Sequence, residues 1–254
     1  MAHPFIIWTF QRSGGTSLSV VLGEAIAPSS VKQEPFNPER DFGQVTLSLR
    51  KEKFQKGVQA LSTILDKGIS FKHCFELRSK RFNEMLLSAL SANRNYRNIV
   101  LMRNQEIDRV CSLYLAKQTS VWGKWKVKKG GYDDVLAGRK KLKPFPVEEM
   151  VAHSLRCKNY RTWLLKKFEE MDIDYFDVDF DEIYAGEKKA RIARTSRVFD
   201  YIDAKFDQNN DAILTWILSE KQGSNRLYSY VPNYDEARAL LQSRLNSAPP
   251  ASGA

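Results

Sequence analysis

Near the start of the chain, Gln11-Arg12-Ser13-Gly14-Gly15-Thr16-Ser17 gathers a guanidinium, three hydroxyls and two glycines into seven positions. These residue types suit an anion. Glycine lets the backbone approach an oxyanion because no Cβ intervenes. Arg12 adds a fixed positive charge, and the Ser13, Thr16 and Ser17 hydroxyls add neutral donors. A second candidate pair for an anion is Arg103 and Ser112, with eight residues between them. Glu34, in Val31-Lys32-Gln33-Glu34-Pro35-Phe36, and His73, in Ser70-Phe71-Lys72-His73-Cys74-Phe75, are side chains able to take a proton. The three cysteines, Cys74, Cys111 and Cys157, lack metal-ligand spacing, so core thiols are expected and no metal site.

An apolar run over 4–10 precedes the glycine loop. Leu18, Val21, Leu22 and Ala25 follow it at the spacing of a buried helix face. Strand, small-residue loop and helix place several backbone N–H groups and a positive helix-dipole end around one point. Further strands are expected over 69–75, 98–103 and 174–180, and helices over 51–66, 81–92, 108–119, 147–171, 191–205 and 211–220. Strands separated by helices predict an α/β fold, a central parallel sheet flanked by helices, with ligands at the carboxyl ends of the strands. Arg103 ends one such strand and Ser112 lies on the next helix, so the two can converge on a second phosphate. Plain alternatives stand beside each reading: a capped tight turn at 12–17, an exposed arginine and a helix serine at Arg103 and Ser112, a loop residue at Glu34, and a satisfied core histidine at His73. The loop is not a nucleotide triphosphatase loop, because Thr16 stands where lysine would follow Gly15, and Gly-x-Gly-x-x-Gly is absent.

The 254 residues, 43% hydrophobic and 11% aromatic, can bury a sizeable core and exclude global disorder. No apolar run reaches the roughly 18 residues of a membrane span, and no basic-then-apolar leader opens the chain, so a cytoplasmic protein is expected. Most of the +10 net charge falls within 117–143, which holds nine cations and two acids. This stretch is read as a basic loop or lobe at about 117–146 within a single domain, 1–246, followed by a disordered tail, 247–254. Trp122, Trp125 and Tyr132 interleave with its lysines. They can stack nucleic-acid bases, cover a cofactor, or belong to a solvated basic surface.

Taken together, Arg12-Ser13-Gly14-Gly15-Thr16 and the Arg103 and Ser112 pair resemble the two phosphate motifs of the sulfotransferases that use 3'-phosphoadenosine 5'-phosphosulfate (PAPS). The segment from Arg103 through Leu115-Ala116-Lys117-Gln118-Thr119-Ser120-Val121-Trp122 is most similar to the bacterial trehalose and carbohydrate branch. Tyr175-Phe176-Asp177-Val178-Asp179-Phe180-Asp181-Glu182-Ile183 and Val231-Pro232-Asn233-Tyr234 resemble later family segments. The resemblance implies a P-loop-like three-layer fold and PAPS as co-substrate without a metal. It also implies sulfuryl transfer to a hydroxyl of a carbohydrate or other small acceptor. It makes residues 12–17, Arg103 and Ser112 cofactor-binding, with Arg12 also catalytic and Arg226 closing over the 3'-phosphate. It offers Glu34 as general base, because a Glu-Pro segment follows the loop in carbohydrate enzymes, with His73 as runner-up. Ser17 and the long Arg103 to Ser112 spacing depart from many members, which leaves the subfamily and acceptor open. The competing readings are a P-loop-type nucleotide kinase and a non-catalytic basic nucleic-acid-binding module; nucleic acid is the less expected partner.

Overall fold

Phe5, Ile6, Ile7, Trp8 and Thr9 are all buried, and this unbroken run forms β1 (Phe5–Thr9), a strand covered on both faces. In the computed structural model, residues 2–26, 31–122, 131–218 and 223–247 are described. The chain divides into two compact units, Met1–Asn104 with Trp163–Ser219, and Gln105–Thr162 with Glu220–Ala254.

In the first unit β1 is followed by α1 (Gly15–Ile26), β2 (Lys32–Gln33), α2 (Gly43–Leu49), α3 (Phe54–Leu65), β3 (Phe71–Cys74), a 3-10 turn (Phe75–Leu77), α4 (Lys80–Ala92) and β4 (Arg97–Met102). The second unit takes the chain through α5 (Glu106–Thr119) and α6 (Asp133–Leu136) into α7 (Val147–Glu170), within which the division falls. The first unit then resumes with β5 (Tyr175–Asp179), α8 (Phe180–Tyr184), α9 (Lys188–Tyr201) and α10 (Asp211–Leu218). A 3-10 helix (Ser224–Tyr230) and α11 (Tyr234–Ser247) belong to the second.

The five strands form one sheet in the order β2-β3-β1-β4-β5, all parallel. The expected α/β class with a parallel sheet and flanking helices is what the structure has. β2 was not foreseen, since two residues carry no periodicity. From β1 the chain runs first to the β2 and β3 side, then crosses to β4 on the other. That reversal makes the carboxyl ends of β1 and β4 a topological switch point, where the strand connections part and leave a crevice.

Alternation along the strands gives the two faces different tasks. Phe5 and Ile7 of β1, with Ile99 and Leu101 of β4, pack with Leu18, Val21 and Leu22 of α1 and with Val198, Phe199 and Ile213. On the opposite face the Trp8 ring meets His73, Phe75 and Phe168 edge-on. Its indole N–H donates to the Asn98 side-chain oxygen at 3.1 Å, so the one polar atom of the largest core residue is satisfied.

The second unit has its own core, with Val110, Leu113, Leu115, Val135, Leu142, Met150, Leu227 and Leu241 among its members. Within the basic stretch read as a lobe, residues 131–146 take part in that core through Tyr132, Val135, Leu142 and Phe145, while 123–130 and Trp125 lie outside the described residues. Tyr132 is buried, which corrects its reading as a base-stacking ring; Trp122 is exposed. Ser247, read as the first residue of a disordered tail, instead ends α11, and the rest of that expected tail, 248–254, lies outside the described residues. Among the described residues no helix is long and apolar enough to cross a membrane.

The loop between β2 and α2 folds back on itself through Gly43. A Cβ there would run into the carbonyl oxygens of Pro38 and Asn37. Gly43→Ala is therefore expected to destabilise the first unit by about 1–3 kcal/mol, the usual cost of forcing atoms into a filled space. Urea unfolding of the variant beside the parent chain measures it; an unchanged midpoint would mean that the loop yields freely.

Candidate functional site

The glycine loop leaves the carboxyl end of β1 and enters α1. Arg12 has φ 68° and Gly14 φ 80°, so the loop makes two left-handed turns, one at a non-glycine residue. Gly14 is required for a second reason. A Cβ on it would lie 2.5 Å from the Tyr184 ring and 2.7 Å from the Phe180 ring. Tyr184 also donates its hydroxyl to the Gly14 carbonyl at 3.1 Å, so α8 braces the loop from β5. Gly15 is buried, and a Cβ on it would meet the Thr9 methyl and the Lys72 stem. Thr16 is exposed and Ser17 half-buried in the first turn of α1. The Ser13 hydroxyl oxygen is buried and has no hydrogen-bond partner among the described residues, an unusual condition for a polar atom in a core.

Lys72 supplies what the loop lacks. It stands on β3 between Phe71 and His73, 6% exposed, and its Nζ donates to Thr16 Oγ1 at 3.1 Å and to Glu34 Oε1 at 2.5 Å. Glu34 reaches this position because β2 pairs with β3, the Glu34 N–H donating to the Lys72 carbonyl at 2.9 Å, after which the chain turns at φ 50°. Glu34 Oε2 accepts from Asn37 Nδ2 at 2.7 Å, and Oε1 also accepts from the Cys74 thiol at 3.4 Å. Asn37 Oδ1 in turn accepts from Arg78 Nη2 at 2.8 Å. Thr16, Lys72, Glu34, Asn37 and Arg78 thus form one chain of polar contacts along the carboxyl edge of the sheet.

The electrostatics follow from burial and pairing. Burial works to raise the Glu34 pKa, but the Lys72 charge and the hydrogen bonds from Lys72, Asn37 and Cys74 outweigh it and leave the carboxyl below its ordinary range. Burial works to lower the Lys72 pKa, and the Cys74 sulfur and Glu34 carboxylate more than restore it. The Cys74 thiol is pushed well up, chiefly by burial. The pair is therefore an ammonium and a carboxylate, with a neutral thiol beside them.

The other candidates are distributed as follows. Arg103 follows β4 at the switch point, its guanidinium carbon 4.8 Å from the centre of the Phe180 ring that also packs on Gly14. Ser112 is buried on α5, in the second unit. Arg226 is exposed in the 3-10 helix of that unit. Asn233 of the Pro-Asn segment makes a two-way bond with the Phe145 backbone, accepting from its N–H at 2.7 Å and donating to its carbonyl at 3.1 Å, so there it joins two stretches of chain. His73 lies on the face of β3 opposite Lys72, 2% exposed, with rings of Trp8, Phe36 and Phe82 around it. Its Nε2 is 2.8 Å from Asn83 Oδ1, and burial lowers its pKa to about 4. The structure thus gives His73 the surroundings of a core histidine, while Glu34 shares the loop's face.

Sequence reasoning missed Lys72, Asn37 and Arg78. The signal for Lys72 was a lone lysine inside an apolar strand, a position where a charge persists only with a partner. No family model matches the chain, and no curated protein matches it.

Removing one partner of a buried ion pair strands the other charge. Lys72→Met is expected to cost on the order of 3 kcal/mol, and adding Glu34→Gln to recover much of that loss. Glu34's own share is present above pH 4.5 and lost as the pH falls through its depressed pKa. Denaturant unfolding at pH 7 measures both variants; equal stability of the single and double variants would refute the coupling.

His73 adds a second pH dependence. Neutral in the fold down to about pH 4 but protonated from 6.5 downward in the unfolded chain, it makes stability fall as the pH drops between those values. His73→Asn should shrink the loss of unfolding free energy between pH 7 and pH 4.5. A loss as large as the parent's would show that His73 titrates alike in both states.

Proposed function

We propose that this protein is a sulfotransferase taking its sulfuryl group from PAPS and passing it to a hydroxyl of a carbohydrate or other small acceptor. The observation that carries the reading is the β1–α1 loop. A buried Ser13 hydroxyl, without a partner among the described residues, sits in an anion-type turn beside Arg12, at a helix N-terminus, with the Lys72 ammonium on Thr16. The parallel sheet, with β1 central and the loop and Arg103 at its switch point, supports a P-loop-like identity for the fold. Arg103 is then the cation for the 3'-phosphate.

The donor substrate supplies a sulfuryl group on a phosphate leaving group. The acceptor oxygen forms the new S–O bond, and the S–O bond to the 5'-phosphate breaks with its electron pair passing to the phosphate oxygen. The hydroxyl proton goes to Glu34. Arg12, Lys72 and the α1 N-terminus face the charge that grows on the leaving oxygen. Lys72 links the two events. While paired with Glu34 it depresses the carboxylate's basicity; as negative charge grows on the phosphate it is drawn that way, and Glu34 becomes the better base.

A second reading, a nucleotide kinase, keeps its place because Lys72 supplies the cation whose absence from the loop argued against it. Calorimetry separates the two: 3',5'-ADP binding without magnesium is expected here, magnesium-dependent ATP turnover for a kinase. Arg103→Ala should weaken 3',5'-ADP by about 2–4 kcal/mol while leaving 5'-AMP unaffected, since only the former carries the 3'-phosphate. With labelled PAPS, Glu34→Gln should lower transfer roughly 100- to 10,000-fold. If His73→Asn abolishes transfer and Glu34→Gln leaves it near normal, the base is the histidine.

A further inference from the structure

A carboxylate has two oxygens, each able to accept two hydrogen bonds, and those of Glu34 are unequally used. Oε1 accepts from the Lys72 ammonium at 2.5 Å and from the Cys74 thiol at 3.4 Å, which takes up both of its lone pairs. Oε2 accepts from Asn37 Nδ2 at 2.7 Å and, among the described residues, from nothing else. The Glu34 side chain is 21% exposed, so a small molecule has access to it. The two oxygens are also kept from trading places. Oε1 is tied to β3, whereas Oε2 is tied to a residue three positions further along its own stretch of chain.

Asn37 is itself firmly placed. Its N–H donates to the Glu34 carbonyl at 3.0 Å and closes a four-residue turn, with Pro35 at the second position where a fixed φ is favourable. Phe36, inside the turn, is buried against the rings of Phe42, Phe71 and Phe82, and the Asn37 carbonyl accepts from the Arg40 N–H at 2.8 Å. The side-chain amide has one workable orientation. A carboxylate only accepts and a guanidinium only donates, so the NH2 faces Glu34 and Oδ1 faces Arg78 Nη2, at 2.8 Å.

We infer that Glu34 Oε2 is the atom that receives the acceptor's proton, and that Asn37 is the positioning residue that aims it. This inference rests on the sulfotransferase reading. In the transfer the acceptor O–H bond breaks, its electron pair enters the new S–O bond, and the proton forms an O–H bond on the remaining lone pair of Oε2. Asn37 fixes the direction of that lone pair and, by donating to the charged form, keeps the carboxyl ionised until the hydroxyl arrives. The charged and titratable groups around Glu34 are Lys72 and Cys74 of β3, Arg78 behind Asn37, and His73 on the other face of β3. The thiol is neutral and His73 is neutral down to about pH 4, so above that value Glu34 is the group whose titration Asn37 controls.

The test uses two variants of the full chain. Asn37→Ala removes the donor; Asn37→Asp keeps the shape and the contact with Arg78 but puts a like charge where the donor was. Carbon-detected NMR titration of the Glu34 carboxyl reads their effect without any substrate. Its midpoint is expected to rise by about one pH unit in Asn37→Ala and by more in Asn37→Asp. With labelled PAPS and methyl hexosides as acceptors, the acid limb of kcat/KM should move up with that midpoint. The kcat should fall about tenfold in Asn37→Ala and further in Asn37→Asp, while KM for PAPS stays within about twofold of the parent's. Far-ultraviolet circular dichroism and 3',5'-ADP affinity verify that each variant is folded. A purely structural link would leave Asn37→Asp like the parent, since its carboxylate still accepts from Arg78. A parent-like kcat and acid limb in folded Asn37→Asp therefore overturns the inference and leaves the function standing. An unmoved Glu34 midpoint in folded Asn37→Ala does the same. Absence of both 3',5'-ADP binding and transfer in the parent chain overturns the functional reading, and this inference with it.

Discussion

The contact between the Lys72 ammonium and the Glu34 carboxylate is the interaction on which the edge of this sheet depends. An ammonium in the middle of a buried strand is tolerable only beside a counter-charge, and the counter-charge can arrive only if β2 lies alongside β3. A two-residue strand is a weak element by itself. What fixes it is the pairing it delivers: the Glu34 N–H on the Lys72 carbonyl and the two side chains joined beyond it. Through Thr16 the same ammonium touches the first turn of α1, so one nitrogen joins β2, β3 and the glycine loop.

The backbone at this edge is strained in the places where chemistry is proposed. Arg12 and Glu34 both occupy left-handed conformations, in which glycine would sit without cost. Each non-glycine in that region costs on the order of 1 kcal/mol. A sequence that keeps a guanidinium and a carboxylate at such positions is using the side chains, since the turns themselves would form more readily with glycine. For Glu34 the use is visible as three hydrogen-bond partners.

Much of the fold was legible in the residues, for identifiable reasons. Four strands and the main helices announced themselves because a strand buried on both faces is a run of apolar residues and a helix face has its own period. The loop could be found because glycine and hydroxyl residues between a strand and a helix have few other uses. β2 and Lys72 were not legible. Their significance lies in pairing across the sheet, and pairing between positions 32–34 and 70–74 leaves no mark in either segment alone. His73 and Lys72, adjacent in sequence, point to opposite faces, and only the neighbours on each face distinguish a core histidine from a site cation. Each of the two compact units is assembled from separated stretches of chain, an arrangement that no single segment announces.

That interleaving, with β1 at the centre of the sheet, bears on how the chain matures on the ribosome. β1 is made well before its partners β3 and β4, as contacts spanning 65 residues from Phe5 to Ser70 and 90 from Trp8 to Asn98 show. Until then its five residues, four of them apolar, have nothing in the sheet to pair with. The outer strand β5 comes later still, after the whole 105–162 stretch of the other unit has been made. Long-range parallel pairing of this kind is slow to form, and the unpaired strand is a hazard for as long as it waits. The nascent protein is thus most exposed to wrong partners at β1, where a holding chaperone or a slowed stretch of translation would have the greatest effect on yield.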